Sequence, residues 1–232
     1  LNYVEEEKSL HSTLKNMNGG KFSIEGLSYQ YDRFSKKIFS SLNLEIESGE
    51  SVAIVAPSGF GKTTLLKLMA GFLKPTSGKI YFNQIDINQI GLNSYRKYIA
   101  CVLQDDKFFS GSILENIVSF ESDYDLEFAI ECAKIANIHD EIMAMPMNYE
   151  TLLGELGNSL SGGQKQRLFI ARALYKKPRV LFMDEATSHL DENNEKLINE
   201  AISKLNMTRI IIVHRQSTIM SADRVIDLER LS

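Results

Sequence analysis

Residues 56–64 form a glycine-rich stretch, Ala-Pro-Ser-Gly-Phe-Gly-Lys-Thr-Thr, between a short apolar run and a helical pattern. Its glycines let the backbone curl so that several N–H groups can point at phosphate oxygens, and the following helix adds its positive N-terminal dipole. Lys62 would bridge the β- and γ-phosphates of a nucleotide, and Thr63 would offer its hydroxyl to Mg²⁺. A strand before the stretch and a helix after it favour this chemistry over a turn that only caps a helix.

The stretch departs from the usual phosphate-loop pattern at its first position. That pattern begins with glycine, whereas this chain has Ala56, although Gly59, Gly61 and the Lys-Thr pair fit the remaining positions. If the first position requires a positive φ, alanine there costs about 1 kcal/mol or more. We therefore expect the loop to hold nucleotide less tightly than a version that begins with glycine.

Two adjacent carboxylates, Asp184 and Glu185, follow the apolar run Val180–Met183. At the end of a buried strand, Asp184 would hold Mg²⁺ through water, and Glu185 could accept a proton from an attacking water molecule. Adjacent acids are also common as solvated charges in loops. The phosphate loop upstream favours the catalytic interpretation here.

Polar side chains also follow two other predicted strands. Gln104 comes after the run Ile99–Leu103, and His214 comes after Ile210–Val213. A histidine at a strand end is usually an ordinary loop residue. Because open α/β sheets bind ligands at the carboxyl edge of their strands, we expect both side chains to converge with Asp184 on the phosphate loop.

Strand and helix patterns alternate along the chain, which indicates an α/β fold with a largely parallel sheet. The segment from about 112 to 177 is mostly helical and is expected to be an inserted subdomain. The predicted strands are 22–24, 27–31, 42–46, 51–56, 79–82, 99–103, 180–183, 209–213 and 224–228. The predicted helices cover about 62–70, 127–138, 163–175 and 193–205.

The composition is that of an ordinary globular protein, with 44% hydrophobic and 24% charged residues. A formal net charge of −4 gives no overall basic field that would favour nucleic acid. Cys101 and Cys132 match no metal or disulfide spacing, and Cys101 is expected in the core. We expect neither a membrane span nor a signal peptide, because no apolar run is long enough and the amino terminus is acidic.

The stretch Leu160-Ser161-Gly162-Gly163-Gln164 matches, residue for residue, the signature of ATP-binding cassette (ABC) proteins. Together with the phosphate loop and the paired acids, it makes residues 21–230 resemble an ABC nucleotide-binding domain. The resemblance implies a P-loop NTPase (RecA-like) core with a mostly parallel sheet, an antiparallel β subdomain and a helical subdomain of about 105–177. It also implies an ATP-hydrolysing domain of residues 21–232, with residues 1–20 as a linker from an upstream membrane domain.

The same resemblance assigns roles to individual residues. It implies that ATP is held by Tyr31, Ser58, Gly59, Gly61, Lys62, Thr63, Thr64, Ser161, Gly163, Gln164 and Asp191. It implies that Mg²⁺ is held by Thr63, Gln104 and Asp184, and that the catalytic residues are Glu185 (base), His214 (switch histidine) and Gln104. Tyr31 would stack on adenine, with Tyr29 as a close competitor. Residues 188–191 would be the D-loop, with His189 where alanine is usual.

In this family two domains associate head to tail, so Ser161 and Gly163 of one copy would contact the γ-phosphate bound by the other. Phe108–Ile117 and Thr151–Gln164 resemble exporters, most nearly those of the bacteriocin and colicin V type. The partners implied are a second copy and a transmembrane domain at the cytoplasmic face of the plasma membrane, with a peptide or protein as cargo. A soluble ABC ATPase of DNA repair or translation is disfavoured, and so is a cassette that binds ATP without turnover.

Overall fold

The computed structural model describes residues 20–154, 160–186, 190–213 and 219–231. Its strands are β1 (Phe22–Tyr29), β2 (Phe39–Ile46), β3 (Ser51–Val55), β4 (Ser77–Phe82), β5 (Ile85–Asp86), β6 (Ile99–Val102), β7 (Gly111–Ser112), β8 (Leu152–Leu153), β9 (Val180–Asp184), β10 (Thr208–Ile212) and β11 (Arg224–Asp227). Its helices are α1 (Lys62–Met69), α2 (Ile87–Ile90), α3 (Leu92–Tyr95), α4 (Ile113–Ile117), α5 (Leu126–Ile135), α6 (His139–Met143), α7 (Gly162–Tyr175) and α8 (Glu192–Ser203). Short 3₁₀ turns cover Asn148–Glu150 and Leu228–Arg230.

The chain divides into two compact units, one of which contains residues 20–99, 179–184 and the described residues from 206 onward. Its central sheet is parallel, in the order β11-β3-β10-β9, and β6, which begins in this unit at Ile99, is the strand next to β9. The middle strands are apolar and almost fully buried. Strands covered on both faces have this continuous apolar character rather than an alternating one.

A second sheet in the same unit is antiparallel, in the order β2-β1-β4-β5. Its strands alternate buried and exposed side chains, because one face packs on the core and the other meets solvent. Irregular pairing between Ile24 and Leu27 marks a bulge in β1. Two predicted strands, 22–24 and 27–31, are therefore one bulged strand that ends at Tyr29, which leaves Tyr31 beyond it.

Helix α1 packs on β9 and β10 of the parallel sheet. Leu65, Leu66, Leu68 and Met69 are inaccessible to solvent. The helix stops before Gly71, whose φ is 71° and whose neighbour Phe72 donates its N–H to the Lys67 carbonyl. This is a common way for a helix to end, and it agrees with the end predicted from the glycine.

The other unit contains residues 100–178 and 185–205, apart from those outside the description. It is mostly helical: α7 packs against α4 and α5, and α8 packs against α5. The predicted helical character is confirmed, although the short antiparallel pair of β7 and β8 lies within it. Cys132 is fully buried, whereas Cys101 is partly exposed and so is not the core residue that its apolar neighbours predicted.

Within the described parts of the chain, no helix has the length and apolar character needed to cross a membrane.

Candidate functional site

The glycine-rich stretch forms a loop between β3 and α1, as predicted. Gly59 and Gly61 have φ values of 79° and 90°, in the left-handed region that favours glycine. A Cβ at Gly59 would meet nothing within 4 Å, so this part of the loop has open space beside its backbone. A Cβ at Gly61 would lie 2.4 Å from Ile38 Cγ2, so this glycine is required for close packing as well as for its φ.

The N-terminus of α1 is suited to a phosphate group. Gly61 occupies the N-cap position, and no side chain of the described residues caps the helix there. By contrast, α4, α5, α7 and α8 are capped by Ser112, Asp125, Ser161 and Asp191. The first N–H groups of a helix lack partners within it, and the helix dipole adds positive potential at the same point. The donors at the start of α1 are therefore arranged as an anion site requires.

Ala56 does not carry the backbone cost considered above. Its φ is not among the positive values found in the described residues, whereas those of Gly59 and Gly61 are. Alanine is as well suited as glycine to an ordinary negative φ. On this geometry, the departure from the phosphate-loop pattern brings no conformational strain.

Lys62 lies inside the loop. Its residue is 7% exposed, and its Nζ donates to the carbonyls of Ala56 and Pro57 at 2.7 and 3.1 Å. These bonds hold the ammonium within the curl of the loop, beside the first turn of α1. Ser58 and Thr63 flank the same curl, with Ser58 exposed and Thr63 partly exposed.

Asp184 ends β9 and is 2% exposed. In the sheet, Ile212 of β10 lies opposite Asp184 on one side and opposite Ile54 of β3 on the other. Neighbouring strands are about 4.8 Å apart, so the Asp184 backbone is roughly 10 Å from Ile54, two residues before the loop. The parallel register therefore brings Asp184 and the phosphate loop to one edge. His214 comes two positions after the end of β10 in the sequence and lies outside the described residues.

The donor set of this edge fits Mg²⁺ bound together with a nucleotide. Mg²⁺ usually takes one or two carboxylates, keeps several waters and shares phosphate oxygens with the nucleotide. Asp184 supplies a carboxylate and Thr63 a hydroxyl in the same unit. Over the described ranges no group of three His, Cys, Asp or Glu side chains forms a separate metal site.

The structure distinguishes the two tyrosines that compete for the aromatic role. Tyr29 is buried at 7% exposure, whereas Tyr31 is 61% exposed and packs edge-on against it, with ring centroids 5.2 Å apart. The Tyr31 hydroxyl and Thr64 Oγ1 are hydrogen-bonded at 3.0 Å, and Thr64 belongs to α1. Tyr31 therefore has an available ring next to the phosphate loop. The sequence analysis did not predict the hydrogen bond between Tyr31 and Thr64, since 33 positions separate the two residues.

Glu185 belongs to the second unit, because the division between the units falls directly after Asp184. Its φ is 53°, a left-handed value that is uncommon outside glycine, and its carbonyl accepts a hydrogen bond from Gln166 Nε2 at 3.2 Å. Such conformations cluster at functional positions, where the surrounding structure maintains them. The backbone therefore changes direction sharply between the two acids.

Gln104 is exposed at the start of a turn that is tied to α7. The turn forms because the Leu103 N–H donates to the Asp106 carboxylate, which also pairs with Arg172 at 3.5 Å. Arg172 donates in addition to the Lys107 carbonyl, at 2.9 Å. Burial raises the pKa of Asp106, although Arg172 acts in the opposite direction, and burial lowers the pKa of Arg172. The sequence did not predict this anchor of the turn that carries Gln104.

The signature opens α7 with a reciprocal cap. Ser161 Oγ accepts from the Gln164 N–H at 3.2 Å, and Gln164 Oε1 accepts from the Ser161 N–H at 2.8 Å. Ser161 and Gly162 are exposed, and Gly163 is partly exposed. The cap satisfies two of the backbone donors at the helix start and leaves the small residues accessible. The glycine-rich helix start predicted from the signature is confirmed.

Asp191 caps α8 and accepts from the backbone N–H and the side-chain amide of Asn194, at 3.0 and 2.6 Å. The backbone N–H of Asn194 is the main cause that lowers the pKa of Asp191. Asn194 also accepts from Asn137 Nδ2 at 2.6 Å, which links this cap to the end of α5. Thr187, Ser188 and His189, which include the start of the predicted D-loop, lie outside the described residues.

Comparison with known proteins agrees with the motifs and the geometry. The family model described as ABC transporter matches residues 39–188. The chain belongs to the ABC transporter family, whose nucleotide-binding domains are ATPases coupled to transport.

Two relatives from Escherichia coli are each 54% identical over 228 residues, which is 98% of this chain. They are the colicin V secretion/processing ATP-binding protein CvaB and the probable microcin-H47 secretion/processing ATP-binding protein MchF. The chain spans 33% of the length of each. A solved structure of a bacterial Atm1-family ABC exporter with ATP bound has a TM-score of 0.87 and 36% identity, and the match covers 91% of this chain and 37% of that one.

These findings confirm the predicted fold class, the family and the similarity to bacteriocin exporters. They also imply that the chain binds ATP. The individual site residues and the boundaries 1–20, 21–232 and 105–177 stay predictions.

Proposed function

We propose that this chain binds and hydrolyses ATP with Mg²⁺ and thereby powers export of a peptide or protein across a membrane. The observation that carries the proposal is the N-terminus of α1, which no side chain of the described residues caps. The loop before it follows β3, at the sheet edge where β9 ends in Asp184. The names of the two relatives, which refer to secretion of colicin V and microcin H47, support a peptide or protein as cargo.

In this proposal the residues near α1 bind the nucleotide. The N–H groups of the loop from Ser58 to Gly61 and the Lys62 ammonium hold the phosphates, as does the Thr64 hydroxyl. The exposed ring of Tyr31 stacks on adenine. Thr63, Asp184 and Gln104 would hold Mg²⁺, which would neutralise phosphate charge.

Glu185 is the proposed general base. A carboxylate next to the metal-binding Asp184, on a backbone that turns sharply at φ 53°, can accept the proton of a water that attacks the γ-phosphate. His214 is proposed to contact the γ-phosphate, and Gln104 is proposed to orient the attacking water.

A second copy of the chain is proposed to complete each site. Ser161 and Gly163 open α7 and are accessible. The cap engages the N–H groups of Ser161 and Gln164, so the Ser161 hydroxyl and the Gly163 N–H are the groups proposed to bind a phosphate held by another copy. Gln164 and Asp191 are proposed to lie at the same junction. The transmembrane domain of the same transporter, at the cytoplasmic face of the plasma membrane, is the other proposed partner, and nucleic acid is not.

The test is the ATPase rate per chain, measured with Mg²⁺ over a range of chain concentrations. A rate that rises with concentration supports two chains that build the site together. Glu185→Gln should lower the rate by at least about 100-fold, keep ATP binding and trap an ATP-dependent dimer. Glu127→Gln, the same change at an exposed position of α5, is the control. Parental turnover by Glu185→Gln would exclude this residue as the base, and no turnover at any concentration would favour binding alone.

A further inference from the structure

Glu141, in the short helix α6, is a carboxylate that no sequence motif singles out. Both of its oxygens accept hydrogen bonds from α7. Oε2 accepts from Gln164 Nε2 at 2.8 Å, and Oε1 accepts from Arg167 Nη2 at 2.5 Å. Gln164 is the residue whose side chain closes the cap on Ser161. A continuous chain of hydrogen bonds therefore runs from Arg167 through Glu141 and Gln164 to Ser161.

Arg167 is the buried end of this series of hydrogen bonds. It is 5% exposed, and its Nε has no partner in the described residues. A buried guanidinium is costly unless a carboxylate pairs with it, so Arg167 holds the Glu141 carboxylate in place. Glu141 itself is more accessible, with 43% of its side chain exposed. It therefore connects the buried charge of Arg167 to the partly exposed side chain of Gln164.

The contact with Glu141 determines how the Gln164 amide is oriented. A carboxylate has only acceptors, so it selects the Nε2 end of the amide and turns Oε1 toward the Ser161 N–H. With both ends of the amide engaged, the side chain of Gln164 serves the cap rather than a free ligand contact. Ser161 Oγ accepts from the Gln164 N–H, which leaves its own proton to donate outward.

We propose that Glu141 is a positioning residue for the signature, which through Gln164 sets the Ser161 hydroxyl for a phosphate on a second copy of the chain. The inference rests on the proposed function, because Ser161 is the group proposed to reach across the dimer. It adds a residue about 20 positions before the signature that touches no nucleotide itself.

The experiment uses the Glu185→Gln chain, in which the ATP-dependent dimer is trapped, and measures dimer dissociation by sedimentation at several chain concentrations. Gln164 and Arg167 both donate to Glu141. In Glu141→Gln the new amide can accept from only one of them and turns its own N–H toward the other, so one charge-assisted bond is lost. We expect the dimer dissociation constant to rise about tenfold, while the ATP affinity of the single chain stays within about twofold. Glu141→Asp keeps the charge and should restore part of the dimer affinity.

Asp140→Asn is the matched control, because it removes the same charge from the neighbouring exposed position of α6. Its dimer constant should stay within about twofold of the parent value. Gln164→Ala should weaken the dimer, and adding Glu141→Gln to it should have little further effect, since residues in one network are not additive. An unchanged dimer constant in Glu141→Gln, or full additivity with Gln164→Ala, would overturn the inference.

A second measurement separates this inference from the proposed function. Hydrogen exchange of the Ser161 amide, read by NMR on the chain without nucleotide, should be faster by about tenfold in Glu141→Gln than in Asp140→Asn. Equal exchange in the two variants contradicts the positioning role. Failure of the proposed function would show instead in the Glu185→Gln parent, which would then form no dimer with ATP.

Discussion

Replacing Gly61 by alanine tests whether the phosphate loop is shaped by packing as well as by backbone conformation. Gly61 has a φ of 90°, and a Cβ there would lie 2.4 Å from Ile38 Cγ2 and 3.0 Å from Phe39 Cζ. The positive φ alone costs about 1 kcal/mol for alanine. Forcing a methyl group into an occupied space adds about 1–3 kcal/mol. We therefore expect Gly61→Ala to lower the free energy of unfolding by about 2–4 kcal/mol.

Gly59→Ala is the matched control in the same loop. Its φ of 79° is similar, but a Cβ there would meet nothing within 4 Å. Only the conformational cost of about 1 kcal/mol applies. The difference between the two variants, about 1–3 kcal/mol, isolates the steric contribution at Gly61.

Urea unfolding without nucleotide gives both values by linear extrapolation. A double variant with Ile38→Ala completes the test, because it removes the Cγ2 atom nearest to the added methyl group. The two changes should then couple favourably, by about 1 kcal/mol or more. Equal unfolding free energies for Gly61→Ala and Gly59→Ala, or no coupling with Ile38→Ala, would refute the packing argument.

Three further predictions concern the site and the helical unit. Tyr31→Phe keeps the ring but loses the bond to Thr64, so ATP affinity measured by fluorescence titration should fall about 3- to 10-fold. Tyr31→Ala should lower the affinity further. An unchanged affinity in both variants would show that Tyr31 takes no part in nucleotide binding. Ser161→Ala removes the N-cap of α7 and should lower the free energy of unfolding by about 1 kcal/mol in a urea titration, with a value near zero counting against the cap. Burial raises the pKa of Tyr149 to about 12, so its stabilising contribution is complete below the unfolded value of 10.0 and is lost as pH rises toward 12. The unfolding free energies of the parent and of Tyr149→Phe should therefore converge over that interval, and a constant difference would show that Tyr149 does not titrate there.

Local patterns in the sequence were enough to predict most elements and the phosphate loop. The buried run of β3, the glycines before α1 and the glycine-rich start of α7 all depend on neighbours within about four positions. Backbone conformation over such short spans follows from residue type, because glycine permits positive φ and serine caps a helix. The edge shared by Asp184 and the loop also followed, since parallel strands end at the same side of a sheet.

Other features depend on contacts between distant positions, and only the tertiary structure decided them. The sequence left Tyr29 and Tyr31 as competitors for contact with the nucleotide. The burial of Tyr29 and the exposure of Tyr31 favour Tyr31, whose role stays a prediction. The sequence also left open whether Ala56 strains the backbone of the loop. In the structure its φ is not positive, so alanine fits this position without strain.

The sequence by itself determined the family, because the phosphate loop and the signature are short contiguous motifs. The residues of the site stay predictions. The tertiary structure decided which side chains hold those motifs in place. Arg172 anchors the turn of Gln104, and Glu141 orients Gln164 from 23 positions away. Such partners cannot be predicted from their spacing in the sequence, since burial and charge pairing arise only when the helices pack.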